Sequence, residues 1–442
     1  MLVKLKQLQN HGGFIKYFKN TGLLFGEKIL RIIVGLFIGV WIIRYLGPEQ
    51  FGNFSYALSF VGLFTAIATL GLNGIVIREL VKDESRRDEL IGTAFWLKLI
   101  GAFGTLAILA IVVNLTSNDT KTNTLVFIIA SATIFQSFNV VDMYFQSKVL
   151  SKYVVYVNVI SLFLSSMVKI ALILNEASLI AFAWVILFDS FVLAIGFIYF
   201  YIKNNSTFNV KHLKFSKSTA VDLLRDSWPL ILSSIVISIY VKIDQVMIKE
   251  MMSAEALGQY AAAVKLSEAW YFIPMLIASS LFPAIINAKK QSEELYHARL
   301  QKLYDLMVWM AIAIALLMTF LSDWLVELLY GGQYKQAGSV LMIHIWAGIF
   351  VFFGTAWSKW MLNENYQITM MKLQLLSMVS NIILNTFLIP SYGIIGAALA
   401  TLISYSFGHT IFALFFKNQK IAIKMFWRSI FFIKKRSVHE KI

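Results

Sequence analysis

The chain contains no cysteine. That excludes a disulfide scaffold, a cysteine nucleophile and thiolate metal sites. It carries no message about compartment, because there is no thiol to oxidise. Proline is scarce, at 5 in 442 residues, so long continuous helices are open to the chain. Charge is scarce as well. Only 14% of residues are Asp, Glu, Lys or Arg, against roughly 25% in soluble domains. No GxxxxGK[ST], HExxH or DxD run is present, which removes the usual signatures of ATP hydrolysis, zinc hydrolysis and metal-assisted sugar transfer. What the chain has instead is grease: 58% of its residues are apolar and its mean hydropathy is +0.71. A net charge of +15 would suggest nucleic acid in a soluble protein, but here it has to be read along a membrane chain.

A bilayer core takes about 20 apolar residues per helical crossing. Such stretches recur at about 24–46, 53–77, 91–113, 123–146, 154–174, 178–202, 227–249, 258–286, 303–321, 338–361, 366–389 and 393–416. The pattern predicts an all-α integral membrane protein of about twelve spans. An even number puts both termini on one side. Of the 39 Lys and Arg, 29 fall in terminal and loop segments on that side and 4 (Arg44, Lys121, Lys249, Lys335) on the other. The positive-inside rule then places both termini in the cytoplasm.

The longest inner loop, Lys203–Asp226, lies near mid-chain and is basic, so it reads as a linker. The division expected is an N-terminal six-helix lobe over 1–208, a linker over 209–226, a second six-helix lobe over 227–416, and a basic amphipathic tail over 417–442 resting on anionic lipid. The segment Met1–Asn20 is basic and amphipathic too. A weak internal repeat supports two lobes. Pro48–Ala57 follows the first span and Ala254–Ala263 the seventh, with Gly52 and Gly258 at matching places. Six helices per half implies equal orientation and a pseudo-two-fold axis along the membrane normal, with a central cavity between the lobes. Gly52 and Gly258 are expected to let a helix start close to its neighbour. The Gly35/Gly39 pair reads as a GxxxG for close helix contact.

Eleven charged residues fall inside spans: Lys28, Arg31, Lys98, Lys169, Lys242 and Lys265, with Glu27, Asp142, Asp189, Asp244 and Glu268. Each costs about 2.5–3.5 kcal/mol at mid-helix, so they must face water or each other. Arg31 lies about 10 Å inside its helix, too deep for easy snorkelling, with Glu27 one turn earlier as an i,i+4 partner. A guanidinium at that depth suits phosphate, which it can hold with paired hydrogen bonds. Lys242 and Lys265 extend this cation set. Lys98 and Lys169 lie nearer span ends and either snorkel or join it. Asp244 and Glu268, with Glu27 and Asp189, are candidates for ion coupling or for pairing, and Lys265 with Glu268 at i,i+3 reads best as a pair. Asn73, Gln136 and Asn139 are candidate sugar contacts, as are Asn158, Asn381 and Asn385, although bonding between helices is the commoner use of such side chains. His344 and His409 read as helix-to-helix hydrogen-bonders. Trp184 and Trp346 read as interfacial.

The segments resemble a known family. Tyr45-Leu46-Gly47-Pro48-Glu49-Gln50-Phe51-Gly52-Asn53-Phe54-Ser55-Tyr56-Ala57 and Gly71-Leu72-Asn73 with Arg78-Glu79 are similar to the early loops of Wzx-type polysaccharide (O-antigen repeat unit) flippases. Asp244-Gln245-Val246-Met247, Glu255–Tyr260, Lys265–Trp270, Leu329–Tyr334 and Tyr392–Ala398 are similar to the family's later segments, in order. That family belongs to the multidrug/oligosaccharidyl-lipid/polysaccharide exporter superfamily. The resemblance implies two six-helix lobes, alternating access, and transbilayer movement of an undecaprenyl-diphosphate oligosaccharide in the bacterial cytoplasmic membrane, for surface polysaccharides such as lipopolysaccharide. It implies a transporter and no enzyme, a monomer, no cofactor, no nucleic acid partner, and polysaccharide polymerase machinery as a further partner. A proton gradient, a sodium gradient, the membrane potential or downstream consumption of substrate each remain open as the drive. Two alternatives stand beside this one. A MATE-like multidrug antiporter would need a mainly acidic cavity. An integral-membrane glycan transferase would need a sizeable outer loop, and the outer loops here are short.

Overall fold

In the computed structural model, residues 12–116, 118–204 and 214–431 are described, with side chains from Asn20 onward. The helices are α1 Gly12–Thr69, α2 Leu72–Lys82, α3 Arg87–Val112, α4 Thr120–Gln136, α5 Val140–Ser147, α6 Ser151–Leu174 and α7 Leu179–Asn204. They continue as α8 Lys217–Met251, α9 Ala254–Glu268, α10 Phe272–Lys289, α11 Glu293–Tyr330, α12 Lys335–His344, α13 Ala347–Asn363 and α14 Gln367–His409. The short α15 Ile411–Leu414 and α16 Lys420–Phe431 close the series. No strand occurs among the described residues.

Ten helical segments are long and apolar enough to cross a bilayer. Two of them hold a sharp bend, so the ten account for twelve crossings. α1 turns at Gly47 (φ 71°), and Pro48 then sits in the first turn of the next stretch, where a missing amide proton costs nothing. α14 turns at Gly393 (φ 58°). A positive φ is cheap for glycine alone, which is why both turns fall on it. Other crossings are broken more gently. Gly71 separates α1 from α2, the single turns Ser137–Asn139 and Ala269–Tyr271 interrupt the fourth and eighth crossings, and α12 gives way to α13 at Ile345–Trp346. Apolar side chains cover the outside: Phe37, Ile111, Phe320 and Phe387 are each more than two-thirds exposed, as lipid-facing residues must be.

The chain divides into two compact units. The first is residues 1–46 with Asn53–Ser238, and the second is Gly47–Gly52 with Ile239–Ile442. The division point in the second half of the chain lies inside α8. In the first unit α4 and α6 pack on α7, and α2 on α5, around a core that includes Leu72, Leu90, Phe145, Phe197 and Tyr201. In the second unit α11 is central, touching α10, α12, α13 and α16, around Tyr304, Phe353, Trp357 and Phe426. Within this unit the repeat segments meet reciprocally. A methyl group at Gly52 would collide with the carbonyl of Ala254, and one at Gly258 with the carbonyl of Pro48. Pro48 and Ala254 are themselves repeat mates. The two glycines thus permit a close backbone contact that is symmetric under the repeat.

Three expectations need correction. Gly35 and Gly39 face open space, so the GxxxG makes no helix contact among the described residues. This part of α1 has few neighbours in the chain. The apolar face of α16 (Ala422, Ile423, Met425, Phe426) is buried on α11 and is not free for lipid. Gln301 and Trp309 of α11 donate to the Met425 and Ser429 carbonyls and fix it there. Lys265 and Glu268 make no direct ion pair. Residues 1–11 and 432–442, which hold parts of the basic segments discussed above, and 205–213 of the linker region lie outside the described residues.

Candidate functional site

In the first unit the in-membrane charges are linked. Arg31 bonds Glu27 at 2.8–2.9 Å, one turn apart on α1, as the i,i+4 spacing requires. The Arg31 side chain stays 42% exposed while Glu27 is 8% exposed, so the guanidinium keeps an open side. Asp142, in the first turn of α5, feels both Glu27 and Lys98, and accepts a 3.0 Å bond from Gln146 Nε2. Lys98 on α3 is buried and donates to Asn73 Oδ1 at 3.3 Å. It does not snorkel. Asn73 is itself exposed, at the start of α2 just after the Gly71 turn. Two bonded pairs, Arg31–Glu27 and Lys98–Asn73, thus lie near Asp142, which Lys98 attracts and Glu27 repels. Lys28 is exposed beside Glu27 in sequence.

Other candidates of this unit stand elsewhere. Asp189 on α7 accepts a 2.5 Å bond from Ser161 of α6, which ties those helices together. Lys169 is half-buried near the end of α6, and Asn158 is half-buried on the same helix. Gln136 and Asn139 are half-buried where the fourth crossing breaks. Trp184 is exposed.

In the second unit Asp244 of α8 is buried, and neutral groups alone hold it. Asn385 Nδ2 donates to its Oδ1 at 2.7 Å. Thr401 Oγ1 and Tyr260 OH reach its Oδ2 at 2.5 and 3.1 Å. Asn385 also donates to Asn381 Oδ1 (3.1 Å), and Asn381 to Ser404 Oγ (3.4 Å). Both amide protons of Asn385 are thus used, while its Oδ1 is buried with no donor. The result is a knot of oxygens around a carboxylate that has no cationic partner among the described residues. A buried carboxylate normally demands a counter-charge, and hard cations take oxygen ligands of this kind. Asp244, Asn385 Oδ1, Asn381 Oδ1 and Thr401 Oγ1 are the groups that fit one.

Close to this network, Lys242, Lys265 and Glu268 interact through space. Lys265 is exposed and Lys242 half-buried. His344 Nδ1 lies 3.0 Å from Ser267 Oγ of another helix, as expected, whereas His409 Nδ1 lies 2.7 Å from the Tyr405 carbonyl one turn back on its own helix and so does not bridge helices through that bond. Trp346 Nε1 donates to Thr319. Outside the spans, Glu364 accepts two bonds from Lys289 (2.7 and 2.8 Å) and one from Tyr296 (2.8 Å). Burial pushes its carboxyl up, but these donors outweigh burial and hold it below the usual carboxylate range.

A family model described as "Polysaccharide biosynthesis protein" matches residues 17–289. The chain belongs to that family. A second model, MatE, matches residues 229–387, in keeping with the exporter superfamily. The probable flippase AglR of Haloferax volcanii is 24% identical, covering 89% of this chain and 82% of its own. The capsular polysaccharide biosynthesis protein CapF of Staphylococcus aureus is 22% identical, covering 87% and 96%. Among solved structures, the lipid II flippase MurJ in an inward closed conformation aligns with a TM-score of 0.68 at 17% identity, covering 92% of this chain and 90% of that one. An inward-facing multidrug MATE transporter aligns at 0.64 and 14%, covering 91% and 94%. These likenesses establish the fold class, an all-helical two-lobed architecture of about twelve spans. The chain is a multi-pass membrane protein of the polysaccharide biosynthesis family.

Sequence reasoning missed Tyr260 and Thr401 as partners of Asp244. It weighed Asn381 and Asn385 only as sugar or helix contacts. Their four-residue spacing, which puts two amides on one helical face, was the available signal.

Proposed function

We propose that this protein carries an undecaprenyl-diphosphate-linked oligosaccharide from the cytoplasmic to the outer leaflet of the bacterial cytoplasmic membrane, by alternating access, for surface polysaccharide assembly. Family membership and the flippases among its relatives support a lipid-linked glycan as the substrate class. The observation that carries the reading is the charge cluster of the first unit, the half-exposed Arg31 on Glu27 and Lys98 on Asn73, with Asp142 near both pairs. A diphosphate is permanently anionic. Arg31 has an open side to offer it, and the buried Lys98 sets positive charge behind the exposed Asn73. Asn73 offers an amide to the first sugar. Both termini lie in the cytoplasm, where the basic loops are. Polymerase machinery takes the product.

The drive is a monovalent cation bound at Asp244. Its site is the Asp244–Asn385–Thr401 network, where a neutralising ion would satisfy both the carboxylate and the orphaned Asn385 oxygen. The MatE match over residues 229–387 favours a second reading, cation-coupled drug export. Gene deletion separates the two. Flipping predicts lipid-linked oligosaccharide trapped on the cytoplasmic leaflet. Unchanged lipid carriers together with new drug sensitivity would establish export instead.

A further inference from the structure

A cavity of about 260 Å³ opens within the second unit between α8, α13 and the two arms of α14. Among its lining residues are Tyr240, Gln374, Ser377, Tyr405, Ser358 and His409, and no Asp, Glu, Lys or Arg borders it. Glycines let its walls approach closely. A methyl group at Gly354 would strike the His409 ring, and one at Gly408 would strike Ser377 Oγ. One of its polar atoms, Gln374 Oε1, is buried without a hydrogen-bond partner. Buried polar atoms are paired in the great majority of cases, so an orphan at a cavity points to contents. At roughly 30 Å³ per water the space holds several molecules.

The position of the cavity decides what those contents do. On α8, Tyr240 lies one turn before Asp244. On the first arm of α14, Ser377 lies one turn before Asn381, and on the second arm Tyr405 lies one turn after Thr401. All three helices therefore set a cavity residue one turn from a member of the Asp244 network, on the same side. The Tyr240 and Tyr405 rings, both on the cavity wall, lie 4.8 Å apart, and Tyr240 OH lies beside Ser377 of the cavity and Ser404 of the network.

We propose that this cavity is the hydrated access chamber through which a monovalent cation reaches and leaves Asp244. Neutral oxygens from Tyr240, Gln374 and the hydroxyls replace part of its water shell, and the tyrosine faces add attraction for positive charge. An uncharged lining suits transit, since it attracts a cation without trapping it. This rests on Asp244 as the cation site, and the test keeps the two apart.

The chain lacks cysteine, so single thiols need no background removal. In membranes, Ser358→Cys should react with a water-soluble cationic methanethiosulfonate, while Ile383→Cys, on the outer face of α14, should stay at least tenfold slower. Equal, slow labelling of both would overturn a hydrated chamber. On purified protein, ²²Na⁺ binding and exchange are then followed. Ser358→Phe should slow exchange at least tenfold with equilibrium affinity within about threefold of wild type, and Gln374→Leu should slow it less. Exchange at the wild-type rate in a folded Ser358→Phe protein would overturn the chamber and leave Asp244 standing. Binding that survives Asp244→Asn unchanged would defeat the Asp244 reading, and the chamber with it.

Discussion

Two charged sites, one in each unit, are tolerated in the membrane by opposite means. In the first, Arg31 pairs with Glu27 along one helix, Lys98 attracts Asp142 across helices, and the Arg31 guanidinium keeps free capacity. In the second, Asp244 is wrapped by an amide, a phenol and a hydroxyl, with no opposite charge. A mixed-sign cluster with an open guanidinium invites an anion. A lone carboxylate among neutral oxygens invites a cation. The contrast shows that a count of intramembrane charges says little until their partners are known. Six cations against five anions was nearly even, yet the two units divide the chemistry between them.

The largest effect should come from the second unit. Asp244→Leu leaves the Asn385, Thr401 and Tyr260 donors facing an apolar group, at about 1–3 kcal/mol for each one left unsatisfied, and should both unfold readily and fail to transport. Asp244→Asn should keep its melting temperature within a few degrees and still lose cation-dependent transport. If Asp244→Asn transported normally, the division of labour would be broken.

Next comes Arg31. Arg31→Gln should cut translocation about 10–100-fold, the equivalent of one charge-assisted hydrogen-bonded contact of about 1.5–3 kcal/mol. Arg31→Lys should recover only part of it, because an ammonium lacks the planar fork. Cation binding by the second unit should not change in either variant, and a change there would blur the comparison.

The glycines sharpen it structurally. Gly52→Ala, which drives a methyl into the Ala254 carbonyl, should cost about 1–3 kcal/mol by overpacking. Gly35→Ala, in open space, should stay within about 0.5 kcal/mol. Thermal unfolding in detergent reads both.

The smallest effect concerns Glu364. Its carboxyl is held below the ordinary range, so its stabilisation is complete above the unfolded-state value and is lost as pH falls through the lower folded value. Glu364→Gln should melt below wild type at neutral pH, and the gap should close in acid. A gap that widened in acid would reverse the sign.

Much of the fold could be read from the sequence, because membrane crossing is a demand on length and hydropathy that twelve stretches meet openly. The turns at Gly47 and Gly393 carry their own glycine signal. The breaks at Ser137–Asn139 and Ala269–Tyr271 do not, since Ser-Phe-Asn and Ala-Trp-Tyr hold neither glycine nor proline and a hydropathy sum passes over them. The Arg31–Glu27 pair was legible because it is local. The Asp244 network was not, since Asn385 and Thr401 lie 141 and 157 residues away from it and meet it only through packing. Lys265 and Glu268 have the spacing of a pair and do not form one, because spacing permits contact without choosing rotamers.

The central claim is that an anion-gripping unit and a cation-holding unit together move a lipid diphosphate. Purified protein reconstituted in vesicles loaded with radiolabelled lipid-linked oligosaccharide tests it most directly, with leaflet exposure read by an external glycosidase under an imposed sodium gradient. The account predicts translocation that follows the gradient, falls with Arg31→Gln and vanishes with Asp244→Asn. Translocation equal to that of protein-free vesicles, or indifferent to both substitutions, would contradict it.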